Sequence, residues 1–127
     1  MATESVKTEA EEQADVLTWW HGWHGNLPEQ LLFHIPNEGK RSFRTDKQLR
    51  EQGLRRGCPD LMLAIPQGGY HGLFIEMKRT RGSRVTTEQQ AFLTDLQNFG
   101  YQTAVCRGAE EAINIIQFYL YNDIRLK

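Results

Sequence analysis

The spacing of apolar residues along the chain switches between two periods, one typical of strands and the other of helices. Four short segments have the length and composition of strands: 31–35, 61–65, 73–77 and 101–106. Four longer segments fit helices, one of them largely polar: 9–21, 45–56, 87–99 and 109–121. Because the last strand follows a helical crossover, this order predicts an α/β sandwich with a central mixed four-stranded sheet flanked by helices.

Local signals mark the ends of several helices. Thr8 with Glu11, and Thr86 with Gln89, have the spacing of a capping box, in which each side chain bonds the backbone of the other residue. We therefore expect helices to begin directly after Thr8 and Thr86. Gly57 follows the polar helix and is predicted to end it, since glycine is common just past helix C-termini.

The segments 61–65 and 73–77 flank a loop with one proline and three glycines, which is the pattern of a β-hairpin. Asp60 stands at the start of the first strand, and Glu76 and Lys78 stand at the end of the second. When a hairpin folds back, the start of its first strand lies beside the end of its second. We therefore expect these three charged side chains to meet.

Such a meeting of charges has a chemical consequence. Two carboxylates about 4 Å apart in a half-buried site repel each other by roughly 4 kcal/mol at an effective dielectric constant near 20. A divalent cation held by oxygen ligands compensates that repulsion, so Asp60 and Glu76 are predicted to bind Mg²⁺ or Mn²⁺. Lys78 is not a metal ligand. Its ammonium group can orient or help deprotonate a water molecule, or neutralise charge that develops when a phosphodiester is attacked.

Length and composition narrow the class of protein. The 127 residues fit one domain, and hydrophobic and charged fractions of 39% and 24% exclude a disordered chain or a membrane protein. No apolar run approaches the ~20 residues of a transmembrane helix, and the polar N-terminus lacks the core of a signal peptide. Two cysteines do not make a disulfide framework, so we expect a cytoplasmic protein. We expect residues 1–8 to be a flexible N-terminus.

The formal net charge of −1 argues mildly against a nucleic-acid-binding protein, but the charges are unevenly distributed. Residues 40–56 contain seven basic residues against two acidic ones, and a second basic run follows the hairpin at 78–84. Local fields govern the binding of a polyanion, so both runs are candidates for phosphate contacts. The alternative is that they are ordinary solvated surfaces.

Two short stretches resemble the signature of PD-(D/E)xK nucleases: Pro59-Asp60 and, after a spacer, Glu76-Met77-Lys78. The surrounding residues resemble one branch of that superfamily, the VRR-NUC domain. Six stretches carry the resemblance in order: Ile35 to Glu38, Gly57 to Leu61, Gly68 to Leu73, Ile75 to Lys78, Thr86 to Gln89, and Gly100-Tyr101. The resemblance extends from about Glu9 to Leu120. Proline-aspartate followed by glutamate-x-lysine is weak alone, whereas the six stretches together are specific.

The resemblance implies a restriction-endonuclease-like fold and a metal-dependent DNA endonuclease that hydrolyses phosphodiester bonds. It implies that Asp60, Glu76 and the backbone carbonyl of Met77 bind Mg²⁺ or Mn²⁺, and that Lys78 positions or activates water. Stand-alone members of this branch resemble homodimeric nucleases of branched DNA, akin to Holliday-junction resolvases and often encoded by phages. A two-fold dimer supplies the two active sites that symmetric cleavage of a junction requires.

A further carboxylate is expected from the first helix. Glu9 and Gln13 continue the apolar stripe of Val16 and Trp20 inward, and relatives in the family carry a glutamate four residues before a glutamine there. The resemblance therefore implies that Glu9 completes the acidic metal site. Glu12 is the main alternative carboxylate, and the simpler role for Glu9 is a favourable charge in the first helical turn.

Two other residues match the family and also have simple structural explanations. Gln89 is aimed at the sheet, so the resemblance implies a role in orienting the site, whereas the alternative is a purely capping role. Asn37 lies in a turn that the resemblance places near the catalytic face, where it touches substrate or a metal-bound water, or else bonds its own backbone. The basic residues expected to contact DNA are Arg41, Arg44, Arg55, Arg56, Arg79 and Arg81.

Two rival functions remain. The first is a nuclease-like module that binds branched DNA without cutting it, against which the intact set of Asp60, Glu76 and Lys78 argues. The second is a zinc-binding structural protein that uses His21, His24 and the cysteines, but no ligand pair has zinc-finger spacing. A tryptophan cluster with solvated histidines is the better explanation of this stretch.

Overall fold

The computed structural model describes residues 5–36 and 43–122, with the backbone alone for 43–46. The helices are α1 (Glu9–Trp23), α2 (Phe43–Glu51), α3 (Thr87–Asn98) and α4 (Ala109–Tyr121), and a 3₁₀ turn spans Glu29–Leu31. The strands are β1 (Leu32–His34), β2 (Leu61–Leu63), β3 (Leu73–Lys78) and β4 (Gln102–Arg107). Asn37, Arg41 and the side chain of Arg44, predicted to contact substrate, lie outside the described residues.

The strands form one mixed sheet in the order β1-β2-β3-β4. β1 pairs antiparallel with β2, and β2 pairs antiparallel with β3, so β2 and β3 are the arms of the predicted hairpin. β3 pairs parallel with β4, and α3 makes the crossover between them. The predicted mixed four-stranded sheet flanked by helices is therefore confirmed.

β3 is the central element, because all six of its residues are buried. Side chains alternate along a strand, so Leu73, Ile75 and Met77 share one face, while Glu76 and Lys78 share the other. The apolar face packs against residues of β2, α1 and α4: Leu61, Leu63, Val16, Trp20, Ala112, Ile116 and Leu120. Burial of each large apolar side chain stabilises the fold by about 1.5–3 kcal/mol. The charged face is covered by α3, whose first turn reaches it.

Both predicted capping boxes are present. Thr8 Oγ1 accepts the N–H of Glu11 at 3.1 Å, and the Glu11 carboxylate accepts the N–H of Thr8 at 2.9 Å. Thr86 and Gln89 make the same pair of bonds at 3.1 and 2.9 Å. Each box satisfies two N–H groups that have no partner inside the helix. α1 and α3 therefore begin where the sequence predicts.

The predicted end of the polar helix at Gly57 is wrong. α2 ends before Gly53, which has a φ of 112°. The N–H of Leu54 donates to the carbonyl of Leu49 at 2.9 Å, and the N–H of Gly53 donates to that of Arg50 at 3.0 Å. These are the two bonds of a Schellman motif, which satisfies the last carbonyls of α2.

Gly57 has a different role. It has a φ of 81°, and a Cβ atom at this position would lie 2.6 Å from the carbonyl carbon and oxygen of Glu88. Only glycine permits such a close approach of two backbones. The contact ties the loop that leads to Asp60 against the N-terminus of α3, and so brings two parts of the candidate site together.

The three tryptophans of α1 form the predicted aromatic cluster, with ring centroids 4.7–6.1 Å apart. Trp20 is fully buried, and its indole N–H donates to the carbonyl oxygen of Glu29 at 2.8 Å. This bond fixes the 3₁₀ turn that leads into β1. Within residues 5–36 and 43–122, no helix is both long and apolar enough to cross a bilayer.

Candidate active site

The hairpin brings the side chains of Asp60 and Glu76 together. Leu61 pairs with Ile75, and the N–H of Asp60 also donates to the carbonyl of Ile75 at 3.0 Å, so Asp60 stays bonded to β3 one residue before β2 begins. The Asp60 carboxylate then accepts the N–H of Met77 through Oδ2 at 2.7 Å. The predicted convergence of the two acids therefore rests on backbone pairing and on a side-chain bond to the opposite strand.

Glu76 and Lys78 lie two residues apart on β3, on the face towards α3. Their side chains are almost completely buried, with 2% and 5% exposed. Lys78 Nζ lies 3.6 Å from Glu76 Oε2, so the two groups form an ion pair but are too far apart for a close hydrogen bond. A buried ammonium group is costly unless it is paired, and here its partners are Glu76 and a residue of α3.

That residue is Gln89, and one amide group serves both charges. Its Nε2 donates to Glu76 Oε2 at 3.0 Å, while its Oε1 accepts from Lys78 Nζ at 2.9 Å. The same Oε1 accepts the N–H of Thr86 in the capping box at 2.9 Å. The two roles left open from the sequence, helix cap and contact with the site, are therefore filled by a single side chain.

One oxygen of the acidic pair has no partner in the protein. Glu76 Oε1 is buried and accepts no hydrogen bond from any residue that the structure describes. Burial and, next, the charge of Asp60 raise the pKa of Glu76 to about 8, and Lys78 offsets this only in part. Burial likewise raises the pKa of Asp60 despite the bond from Met77. The pair is therefore short of positive charge.

The donor atoms at this point suit a hard cation. Asp60 and Glu76 offer carboxylate oxygens, the ligands that Mg²⁺ and Mn²⁺ prefer. The N–H and C=O of one strand residue leave on the same edge, so the Met77 carbonyl is directed to the edge where its N–H meets Asp60. The unpartnered Glu76 Oε1 lies at the same site. Two carboxylates, one carbonyl and water molecules thus fit such an ion.

The carboxylates of α1 are arranged differently from the expected stripe. Glu12, not Glu9, is the buried acid of this helix, at 7% exposure. Glu12 Oε1 accepts the N–H of Ala109 at 2.9 Å, so it satisfies the N-terminus of α4. Glu9 is half-buried and near enough for its charge to raise the pKa of Glu76, as the weakest of the contributions.

Glu9 does not join the acidic pair as a direct neighbour. In the described part of the chain, no three His, Cys, Asp or Glu side chains lie close enough together to hold one metal ion. The histidines at the end of α1 contact a glutamate instead: His21 Nδ1 lies 2.7 Å from Glu29 Oε2, and Nε2 of the capping residue His24 lies 3.8 Å from Glu29 Oε1. The structure offers no support for a zinc site there.

The basic residues that are described lie on both sides of the site along the chain. Arg55 and Arg56 are exposed in the loop just before Gly57, and Arg81 is exposed in the loop after β3. Arg79 is half-buried and donates to the carbonyl of Gly82 at 2.9 Å, which shapes that loop. A polyanion that reaches the acidic pair can therefore meet positive charge from the loops on either side of it in the chain.

Sequence reasoning missed His34. Its Nδ1 lies 3.0 Å from the backbone oxygen of Asp60. The signal was weak: one histidine at the end of a short strand, 26 residues before its partner in the chain. Only the pairing of His34 with Leu61 across the sheet brings it to Asp60.

Comparisons with known proteins match this architecture. The family model of the VRR-NUC domain matches residues 5–110. A solved structure of a "VRR_NUC domain protein" is similar with a TM-score of 0.80 and 29% sequence identity, and the match covers 91% of this chain and 90% of that chain. No curated protein matches the sequence significantly.

Proposed function

The chain belongs to the VRR-NUC domain family of nuclease-type, DNA-binding domains, and on that premise we propose that it is a metal-dependent DNA endonuclease that hydrolyses phosphodiester bonds. The observation that carries the proposal is the buried Glu76 Oε1, which has no partner among the described residues, beside Asp60. Two acids left short of positive charge are costly to the fold and useful to an enzyme that must bind a cation.

Asp60, Glu76 and the Met77 carbonyl would hold Mg²⁺ or Mn²⁺. When bound, the cation supplies Lewis acidity at the phosphate and lowers the pKa of a coordinated water. Glu9 would add negative charge at longer range, since it acts on Glu76 without being its direct neighbour. Cleavage joins the oxygen of water to phosphorus and breaks the bond from phosphorus to the leaving oxygen, which then takes up a proton.

Lys78 would position the attacking water and stabilise the developing charge. Its ammonium group has three N–H donors, of which one bonds Gln89 and another is directed to Glu76. The remaining N–H can donate to a water molecule or to a phosphate oxygen. Gln89 fixes the direction of that third N–H, because its amide oxygen holds the ammonium group at 2.9 Å.

We further propose that the substrate is branched DNA and that the protein acts as a homodimer. The support is the resemblance to junction resolvases and the symmetry of the task, since paired cuts in a junction need two active sites related by a two-fold axis. Arg55, Arg56, Arg79 and Arg81 would bind phosphates on either side of the scissile bond. The roles of Asn37, Arg41 and Arg44, and the cytoplasmic location, remain predictions.

A substrate panel tests the proposal. Purified protein is incubated with a labelled four-way junction, duplex and single strand, each with Mg²⁺, with Mn²⁺ or with a chelator. Cleavage of the junction that requires a metal supports the proposed enzyme. Retention of the junction on a native gel without cutting identifies instead the rival binding module. Equal cleavage of all three DNAs removes the selectivity for branched DNA but keeps the nuclease.

A further inference from the structure

Asp60 sits where two short strands end, which makes its geometry vulnerable. β1 and β2 each contain three residues, and Asp60 lies just before β2. The preceding residue, Pro59, has no N–H to donate to a neighbouring strand. Strand ends with few pairing bonds open easily, so a metal ligand placed there needs additional support.

This support is provided by hydrogen bonds to the N–H and the carbonyl of Asp60. The N–H of Asp60 donates to Ile75 at 3.0 Å, and its carbonyl accepts the N–H of Ile35 at 2.7 Å. The same carbonyl lies 3.0 Å from His34 Nδ1. Of these three contacts, two are made by backbone groups and one by a side chain, that of His34.

The partner defines the state of the imidazole. A carbonyl oxygen can only accept, so His34 Nδ1 must carry the proton and donate. In the neutral ring Nε2 is then the unprotonated nitrogen. The carbonyl oxygen of Asp60 therefore receives two donors, one from the backbone of Ile35 and one from His34, and these bonds fix the main chain from which the Asp60 carboxylate projects.

We propose that His34 is a positioning residue for Asp60: its Nδ1–H holds the Asp60 carbonyl so that the Asp60 carboxylate is pre-set for the divalent cation. This inference rests on the proposed function, because it concerns the same metal site. The expected effect of His34 on the affinity for the cation is modest, since the contribution of one neutral hydrogen bond corresponds to roughly a fivefold change in an equilibrium constant. His34 acts through Asp60 and does not itself have to touch DNA.

Three substitutions separate this role from other roles of the ring. In His34→Asn, the amide nitrogen can occupy the place of Nδ1 and restore the donor. In His34→Gln, the amide reaches the place of Nε2, and His34→Ala removes both nitrogens. His34 is an exposed residue at the end of an edge strand, so all three variants are expected to fold, which thermal unfolding checks.

The test is a calorimetric titration of Mn²⁺ into the wild type and the three variants, combined with junction cleavage at low and saturating Mn²⁺. We expect His34→Ala and His34→Gln to bind Mn²⁺ about fivefold more weakly, and His34→Asn to stay within twofold of the wild type. Cleavage by the two weak binders should recover at saturating Mn²⁺, because the missing bond acts through the metal site. An imidazole ¹⁵N spectrum of the metal-free wild type should show the Nδ1–H form.

Each contrary outcome has a distinct meaning. Unchanged Mn²⁺ affinity in His34→Ala and His34→Gln overturns the inference alone, and so does an Nε2–H imidazole. Activity kept by His34→Gln but lost by His34→Asn also overturns it, because the far nitrogen is then the important one. A wild type that neither binds Mn²⁺ nor cuts DNA overturns the proposed function and the inference together.

Discussion

The ammonium group of Lys78 donates a 2.9 Å hydrogen bond to the side-chain oxygen of Gln89, so the first turn of α3 is attached to the buried charges of β3. Gln89 also belongs to the capping box that starts α3. Helix initiation and site geometry therefore depend on one side chain. The arrangement explains how a lysine with almost no exposed surface keeps a fixed position beside Glu76.

Gln89→Ala should lower the rate of DNA cleavage by roughly 10–100-fold, the usual cost of losing a side chain that orients metal-site residues. It should also destabilise the fold by about 1 kcal/mol through loss of the cap. Thr86→Ala is the matched control, because it removes the capping hydroxyl and leaves the bonds to Glu76 and Lys78 in place. Equal loss of activity in both variants would show that the cap alone matters.

Lys78→Met should reduce kcat by about 10²–10⁴-fold, the range for a positioned proton donor or acceptor, and leave Mn²⁺ binding largely intact. The thioether side chain keeps most of the buried volume and removes the charge. Lys7→Met serves as control, since Lys7 is an exposed lysine outside both basic runs and is paired with Asp15 at 2.6 Å. Steady-state cleavage and Mn²⁺ titration give the two readouts, and full turnover in Lys78→Met contradicts its assigned role.

Metal-free protein should lose stability as the pH rises from about 4.5 to 8. The pKa of Glu76 rises from 4.5 in the unfolded chain to about 8 in the folded one, so the folded state binds more protons throughout that interval. The free energy of unfolding therefore falls with increasing pH. At about 1.4 kcal/mol per pKa unit, we expect a decrease of roughly 2–4 kcal/mol.

Urea unfolding in chelator at pH 5 and pH 8 measures this decrease. Glu76→Gln should flatten the dependence, whereas Glu51→Gln, a change at an exposed ion pair, should not. Added Mn²⁺ should restore stability at pH 8, because a ligand that binds only the folded state stabilises it. A stability that increases over this pH interval in metal-free wild type contradicts the assignment of the buried acid.

Substitutions of Glu9 and Glu12, two of the carboxylates of α1, should have separate effects on stability and on activity. Glu12→Ala removes the acceptor of the Ala109 N–H and should destabilise the protein by about 2 kcal/mol, the upper range for a lost helix cap. Glu9→Gln should leave stability nearly unchanged and reduce cleavage severalfold, since Glu9 acts on the charge of Glu76. Thermal unfolding and cleavage rates, measured below the melting temperature of both variants, check the division. The reverse pattern would exchange their roles.

Local sequence signals located most of the fold. The capping boxes at Thr8 and Thr86 and the hairpin around 61–78 depend on neighbours in the chain, and they are present as predicted. The end of α2 was not predictable in this way, because Gly53 and Gly57 are equally good helix stops by composition. The close approach of Gly57 to Glu88, which assigns the second glycine to a packing contact, exists only in the folded protein.

In the candidate site, too, contacts between chain neighbours were predictable and contacts that depend on tertiary packing were not. Asp60, Glu76 and Lys78 were predicted to meet because hairpin geometry alone brings them together. Glu12 and Ala109 are 97 residues apart, and their bond depends on how α1 packs on α4. The contact of His34 with Asp60 needs the position of β1 beside β2, which no spacing in the chain reveals.

The most direct test of the proposed metal site is a calorimetric titration of Mn²⁺ into wild-type protein, Asp60→Asn and Glu76→Gln at neutral pH. We predict that the wild type binds Mn²⁺ and that each substitution, which replaces a carboxylate by an amide of the same shape, weakens binding at least about tenfold. A wild type that binds no Mn²⁺, or variants that bind it as tightly as the wild type, would contradict the claim that these two carboxylates form the metal site of a nuclease.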